Sequence, residues 1–143
     1  MQSIYFVDSN FTYESSKKSI LSIRYATDGF SFCVHDETGK LVVFVHEPYA
    51  ADSREAAVVR LKNYVVNDAI LNLRFKKVYI MPCFKEKLLV PGAFFDKANI
   101  TTLYTVNQEV SPDDTILYHH IEGIEAYLVE TVISSFHDFV REH

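Results

Sequence analysis

Tryptophan is absent from this chain of 143 residues, and cysteine and glycine are scarce, with two and four residues. Two cysteines cannot form a disulfide-rich scaffold, and no CxxC motif is present, so we expect Cys33 and Cys83 to be free thiols in a reducing compartment. Four glycines are too few for the usual phosphate cradles. The sequence also lacks a Walker loop, a dinucleotide fingerprint and a nucleophile elbow, which argues against the enzyme classes built on those motifs.

Positive charge is scarce as well. The formal net charge is −5 and no basic run is present, which argues against a nucleic-acid partner because proteins that bind nucleic acids cluster Lys and Arg. The nearest basic cluster is Arg74 to Lys77 with Lys85 and Lys87, and it is typical of a solvated strand edge. No apolar run reaches membrane-spanning length and the N-terminus lacks a secretion signal, so we expect a cytoplasmic protein with no membrane partner.

The apolar content is that of an ordinary globular protein. Hydrophobic residues make up 48% of the chain and aromatic residues 14%. A chain of this length can bury a substantial core, so we predict a single domain over residues 1–143. The last apolar stripe stops shortly before His143, which indicates either half of a longer two-domain protein or a helix that docks on a partner.

A three-strand antiparallel meander is predicted over residues 19–45. Its first turn is Asp28-Gly29, a strong hairpin signal, and pairing outward from this turn sets Tyr25 opposite Phe32. One face of the meander is apolar and must be covered, whereas the other face is mixed. The apolar face comprises Leu21, Ile23, Tyr25, Phe30, Phe32, Val34, Val42 and Phe44.

The second turn of the meander spans Asp36 to Lys40 and favours a type I turn closed by a left-handed Gly39. Pairing outward from this turn sets Phe32 opposite Phe44, which agrees with the register derived from the first turn. A slip of one residue would mix the two faces. We therefore expect Ile23, Phe32 and Phe44 on one face.

A helix is predicted to follow over residues 52 to about 71. Asp52 is placed to be its N-cap, with Glu55 as the partner in a capping box. Val58 and Leu61 begin an apolar stripe at helical spacing, so the helix should cover the apolar face of the meander.

The rest of the chain predicts two short strands, a helix, a second hairpin and a final helix. The first of these strands should run parallel to the first strand of the meander, because it follows a helical crossover. The expected elements are strands at Lys77–Met81 and Lys87–Val90, a helix from Pro91 towards Tyr104, a hairpin over Thr115–Val132 around Glu122-Gly123, and a helix that begins at Ser134 or Ser135.

This order of elements is the topology of the ribonuclease H-like layer, which is half of an actin-like ATPase. Three strings resemble an uncharacterised bacterial family known only as a domain of unknown function and associated with an actin-like ATPase fold. The resemblance implies an α/β fold that has a mixed sheet with an N-terminal three-strand antiparallel meander, a crossover helix and a second hairpin. The chain looks like the N-terminal half of such a protein. The strings are ILSIRYATDGFSFCVHD (Ile20 to Asp36), LLVPGAFFD (Leu88 to Asp96) and IEAYLVETV (Ile124 to Val132).

The resemblance implies one candidate nucleotide contact. In actin-like ATPases the turn between the first two strands is a phosphate loop, and Asp28-Gly29 occupies that place, as the candidate turn for ATP with magnesium. Phe30 follows at once, however, where a small residue is wanted. A two-residue hairpin turn also leaves no spare backbone amides for an anion nest. A plain hairpin turn without a cofactor is therefore favoured.

Two metal-dependent alternatives are disfavoured by the residues themselves. A ribonuclease H-type nuclease needs carboxylates on the first strand and at the end of the crossover strand, but neither Ile20–Tyr25 nor Ile80–Cys83 contains an acid. Adjacent residues of a strand point to opposite faces, so His119 and His120 cannot ligate one ion. We expect His120 to pair with Glu125 across the second hairpin, and we predict no catalytic or metal-ligating residue.

Aromatic side chains provide the candidate interface. The predicted register of the second hairpin sets Tyr118 opposite Tyr127, and Phe136 and Phe139 share one face of the last helix. An exposed apolar patch of this kind usually marks an interface. The alternative is that the last helix covers the two tyrosines.

Two functional hypotheses follow. The first is a non-catalytic actin-like module that works by association with a second copy of itself, with a missing C-terminal half, or with another protein. The second is an ATP-binding phosphotransferase or ATPase-like protein whose site is completed by a second domain.

Overall fold

A computed structural model of the chain describes residues 2–142, so His143 lies outside the described residues. The described residues divide into two compact units, residues 2–83 and residues 84–142. The single domain expected over the whole chain stays a prediction. The first unit contains β1 (Ile4–Val7), α1 (Tyr13–Ser16), β2 (Ile20–Ala26), β3 (Gly29–His35), β4 (Leu41–Pro48), α2 (Arg54–Asn67) and β5 (Lys77–Pro82). The second contains β6 (Lys87–Pro91), α3 (Ile100–Thr105), β7 (Asp114–Ile121), β8 (Ala126–Ile133) and α4 (Ser134–Glu142).

The first unit is built on a mixed five-stranded sheet with the strand order β1-β4-β3-β2-β5. Strands β2, β3 and β4 form the predicted antiparallel meander, and β1 adds to β4 in antiparallel pairing. Strand β5 pairs with β2 in parallel, and a parallel neighbour requires a crossover connection, which α2 supplies. The meander, the crossover helix and the parallel strand are therefore confirmed.

The first hairpin differs from its predicted register by two residues. Its turn is Thr27-Asp28, and Tyr25 lies opposite Phe30 rather than Phe32. Side chains alternate with a period of two, so a shift of two residues leaves every side chain on its predicted face. Gly29 belongs to β3, at φ +148°, and a Cβ atom there would lie 2.6 Å from a backbone oxygen of β4. Only glycine permits this close approach between the two strands.

The second turn of the meander has the predicted geometry. Gly39 adopts φ +86°, in the left-handed region, and its N–H donates to the Asp36 carbonyl oxygen at 3.0 Å. The Asp36 carboxylate accepts hydrogen bonds from the Thr38 hydroxyl and from the backbone N–H groups of Thr38 and Lys40. The Thr38 hydroxyl is the largest cause that lowers the pKa of Asp36 below its usual value, and the backbone donors add to it.

A β-bulge between Val34 and His35 overturns the predicted register of β4. Phe32 lies opposite Val45, so Phe44 is on the opposite face from Ile23 and Phe32. A bulge inserts one extra residue into one strand, and every side chain beyond it changes face. The sequence could not show this, because both alternating sets of residues in β4 are apolar.

Helix α2 begins one residue later than predicted. Ser53 is the N-cap, and its side chain accepts a hydrogen bond from the Ala56 N–H at 3.1 Å, the role expected of Asp52. The helix ends before Asp68, whose carboxylate accepts from two backbone N–H groups of the next turn. Val58 and Leu61, with which the predicted apolar stripe begins, are buried together with Ala57 and Val65, whereas Val59 and Val66 are each 56% exposed.

The second unit is a three-stranded antiparallel sheet with the order β6-β8-β7. The helix predicted from Pro91 is broken into two 3-10 turns, followed by the short α3. The break lies at Asp96, whose extended backbone and side-chain hydrogen bond to the Ala98 N–H start a new turn. One core cluster holds this unit together, with Val90, Tyr104 and Val129 buried at its centre.

The second hairpin also shifts by two residues. Its loop spans residues 122–125, with Gly123 at φ +89° and Glu125 at φ +49°, so the strands begin to pair at Ile121 and Ala126. Tyr118 consequently lies opposite Val129 instead of Tyr127. The two tyrosines remain on one face, because the shift is an even number of residues.

Candidate functional site

The sheet of the first unit has one tightly buried face and one partly exposed face. On the buried face Phe32, Val34 and Val45 are at most 1% exposed, and the Tyr64 ring of α2 lies 6.3 Å from that of Phe32. The other face, which we call the open face, carries two rows of side chains across all five strands. These rows are Phe6, Phe44, Cys33, Ser22 and Tyr79, and Ile4, His46, Ser31, Arg24 and Met81.

Large apolar side chains form the rim of the open face. On β1, Ile4 is 50% exposed and Phe6 is 46% exposed. On β5, Tyr79 is 46% exposed and Met81 is 52% exposed. Both edge strands therefore present apolar side chains to solvent on the same side of the sheet, and such patches mark interaction sites in soluble proteins.

The centre of the open face is half-buried and more polar. The Ser31 hydroxyl and His46 Nδ1 lie 2.7 Å apart and share a hydrogen bond. Burial raises the pKa of the neighbouring Cys33 thiol, so this cysteine is a weaker nucleophile at neutral pH than an ordinary one. Arg24 is the one Lys, Arg, Asp or Glu residue in the two rows, and a surface with so few charges loses little hydration when it is covered.

The candidate phosphate turn is divided between two elements. Asp28 lies in the turn before β3, and its carbonyl oxygen accepts from the Tyr49 N–H at 3.2 Å. The Thr27 carbonyl accepts from the Ala51 N–H at 2.9 Å, so the segment after β4 holds the turn from one side. Gly29 lies inside β3, where its missing Cβ lets the backbone of β4 approach. The glycine thus has a packing role between β3 and β4.

The two predicted interface tyrosines pack against a third ring. Phe95 is stacked on Tyr127, with ring centroids 3.8 Å apart and an angle of 9° between the rings. The Tyr118 ring lies 5.2 Å from Phe95 and 6.4 Å from Tyr127. The ring that covers Tyr127 therefore comes from the segment after β6, and Tyr118 remains 37% exposed.

The two predicted interface phenylalanines lie on α4, in different environments. Phe136 is buried and Phe139 is half-buried, with ring centroids 6.3 Å apart. The start of the helix is held by Asp113, whose carbonyl accepts from the Ser134 N–H and whose carboxylate accepts from the Ser135 hydroxyl at 2.7 Å. An Asp-Asp pair after a proline is the only sequence signal for this cap.

A buried carboxylate in the second unit was not found from the sequence. Glu130 lies in the middle of β8 and is 7% exposed. Lys87 Nζ on β6 is 3.3 Å from its Oε2, and His119 Nε2 on β7 is 3.4 Å from its Oε1. Within residues 2–142 no well-directed hydrogen bond reaches Oε2, so the Lys87 contact is an ion pair by distance alone. The sequence signal that could have identified this buried carboxylate is an acidic residue inside an otherwise largely apolar strand.

The part of the chain that the structure describes contains neither a cluster of potential metal ligands nor a helix that could span a membrane. His120 Nε2 lies 3.9 Å from the Glu125 carboxylate, the partner expected for it. No three or more His, Cys, Asp or Glu side chains among residues 2–142 converge as a metal site would require. In the same range, no helix is both long enough and apolar enough to cross a bilayer.

Comparison with known proteins identifies the fold and the family. No curated protein matches the chain. A solved structure from Bacteroides thetaiotaomicron, described as a protein with actin-like ATPase fold and unknown function, superposes with a TM-score of 0.79 at 24% sequence identity. The match covers 92% of this chain and 51% of that one, so our chain spans about half the length of its structural neighbour.

The likeness confirms the predicted α/β fold of the actin-like ATPase type. At this level of identity it shows the fold and carries no activity with it. A family model, described as "Protein of unknown function (DUF3822)", matches residues 8–143, nearly the whole chain. The chain therefore belongs to the family described as Protein of unknown function (DUF3822).

Proposed function

We propose that this protein is a non-catalytic actin-like module that works by association, and that the open face is its contact surface. The observation that carries the proposal is the apolar rim on both edge strands, where four large side chains are 46–52% exposed. The partner that we propose is a second copy of this chain. The chain spans about half of its structural neighbour, and two copies would supply two halves.

The charge distribution favours a protein partner over a nucleic acid. The chain carries a formal net charge of −5. Of the ten residues in the two rows of the open face, Arg24 is the one Lys or Arg. A nucleic-acid surface requires several clustered cations. Two apolar rims can instead bury each other, and removing apolar area from water is the dominant driving force in most protein association.

The experiment is sedimentation equilibrium of the wild-type chain and of Met81→Lys, which places a charge in the rim. We expect the wild type to dimerise as its concentration rises and Met81→Lys to remain monomeric. Val66→Lys is the matched control, because Val66 is 56% exposed and lies on α2, away from the open face. This control should dimerise like the wild type. A monomeric wild type, or a Met81→Lys variant that dimerises normally, would contradict the proposal.

The nucleotide hypothesis for Asp28 and Gly29 is tested with the same protein. A ligand that binds only the folded state raises the melting temperature by mass action. We expect magnesium-ATP to leave the melting temperature of the monomer and of the dimer unchanged. A concentration-dependent rise that Asp28→Ala abolishes would replace the association proposal with nucleotide binding at this turn.

A further inference from the structure

A cleft of about 610 Å³ opens in the first unit between the end of β4 and the exposed side of α2. Small-molecule sites have volumes of roughly 300–1,000 Å³. Three aromatic rings line the cleft: the Phe30 and Tyr64 centroids are 4.6 Å apart, and those of Phe30 and Tyr49 are 6.0 Å apart. We call it the aromatic cleft. It lies on the α2 side of the sheet and takes no part in the open face.

One end of the aromatic cleft presents a cation. The Arg60 guanidinium carbon lies 5.5 Å from the centre of the Tyr49 ring, and the Tyr49 hydroxyl donates to the Ala26 carbonyl at 2.8 Å. The ring is thus fixed by the sheet and supports the guanidinium. Arg60 is exposed, and it pairs with no carboxylate among residues 2–142. Its planar fork is suited to a carboxylate bound through two parallel hydrogen bonds.

The other end of the aromatic cleft has its charges already engaged. Glu47 accepts a hydrogen bond from the Ser3 hydroxyl at 2.8 Å. Asp68 accepts two backbone N–H groups at 2.9 Å. Burial raises the pKa of Tyr64 to about 12, with Asp68 and Glu47 adding to the effect, so its hydroxyl is neutral at physiological pH. Because these two carboxylates repel negative charge, the cleft favours a ligand with a single negative charge at the Arg60 end over a ligand with several.

We propose that the aromatic cleft binds an organic monocarboxylate with an aromatic or branched apolar body. The carboxylate pairs with the Arg60 guanidinium, and the Asn63 side chain, one turn further along α2, donates a hydrogen bond to it. The apolar body packs on the rings of Tyr49 and Tyr64. The recognised chemistry occurs in free organic acids and at the C-terminus of a peptide that ends in an apolar residue.

The experiment is isothermal titration calorimetry with two acids, 4-phenylbutyrate and N-acetyl-L-phenylalanine, and with the neutral amide of each. We expect saturable binding of at least one acid. The amide of that acid should bind at least about tenfold more weakly, because Arg60 binds the charged carboxylate. Arg60→Gln should lower the affinity for the acid to the affinity that the wild type has for its amide. Arg74→Gln is the matched control, since it removes the same charge from an exposed site outside the cleft, and it should bind like the wild type.

The two acids distinguish the sources of the carboxylate. Tighter binding of N-acetyl-L-phenylalanine supports a peptide C-terminus, and tighter binding of 4-phenylbutyrate supports a free acid. Amide nitrogen–proton spectra establish that Arg60→Gln is folded. The proposal is overturned if the amides bind as well as the acids, if Arg60→Gln binds like the wild type, or if neither acid saturates the protein at about 10 mM.

Discussion

The buried carboxylate of Glu130 provides the sharpest test of the second unit. The substitution Glu130→Gln keeps the shape of the side chain and removes its charge, and with it the ion pair with Lys87 and the charge that faces His119. Breaking a fully buried ion pair costs about 3–5 kcal/mol of stability. The Lys87 side chain is 31% exposed and that of His119 is 56% exposed, so water takes over part of the lost interaction. We therefore expect a loss of about 1–3 kcal/mol.

The assay is urea unfolding followed by far-ultraviolet circular dichroism, combined with hydrogen exchange that localises the loss to β6, β7 and β8. Glu125→Gln is the matched control, because the Glu125 side chain is 89% exposed and 3.9 Å from its histidine. This control should change stability by less than about 0.5 kcal/mol. Replacing Glu130 and Lys87 together by leucine should cost less than Glu130→Gln alone, since no buried charge is left unpaired. Equal stability of Glu130→Gln and Glu125→Gln would refute the reasoning.

Three further predictions concern the first unit. Gly29→Ala should lower the free energy of unfolding by about 2 kcal/mol or more in urea unfolding, because its Cβ would meet a backbone oxygen at 2.6 Å. Gly39→Ala has open space around its Cβ and should cost about 1 kcal/mol. Equal losses for the two variants would contradict this explanation. Ser53→Ala should lower the free energy of unfolding by about 1 kcal/mol in the same measurement, and Asp52→Ala should leave it almost unchanged. The reverse order would show that Asp52 is the N-cap, as the sequence predicted. The pKa of Asp36 is lowered by folding, so its contribution to stability is present above its unfolded pKa and is lost as the pH falls through the folded value. The stability difference between the wild type and Asp36→Asn should shrink in acid, and a difference independent of pH would contradict the assignment.

The sequence predicted the fold well where the signal was the alternation of side chains along a strand or a local turn motif. The meander faces survived an error in the first register, since Tyr25 and Phe30 stay on the buried face after an even shift. Gly39 was identified from its turn alone, because few other residues adopt its conformation. The crossover to β5 followed from a helix between two β-rich runs.

The remaining features depend on contacts that no local pattern reports. The bulge after Val34 moves Phe44 to the open face, and the apolar pattern of β4 fits both registers equally well. The ion pair of Glu130 with Lys87 joins β8 to β6, which is distant in sequence, and its contact with His119 ties β7 to the same carboxylate. The aromatic cleft similarly combines the end of β4 with one side of α2, and only the packed unit brings Tyr49 and Arg60 together.

The most direct test of association through the open face uses the thiol at its centre. In a Cys83→Ser variant, Cys33 is the one remaining cysteine, and it shares a row with Phe6 and Tyr79. We predict that its alkylation rate, measured at one pH, falls as the protein concentration rises, and that the same variant carrying Met81→Lys shows no such fall. A rate that stays constant over the concentrations at which the protein dimerises would show that the contact lies elsewhere.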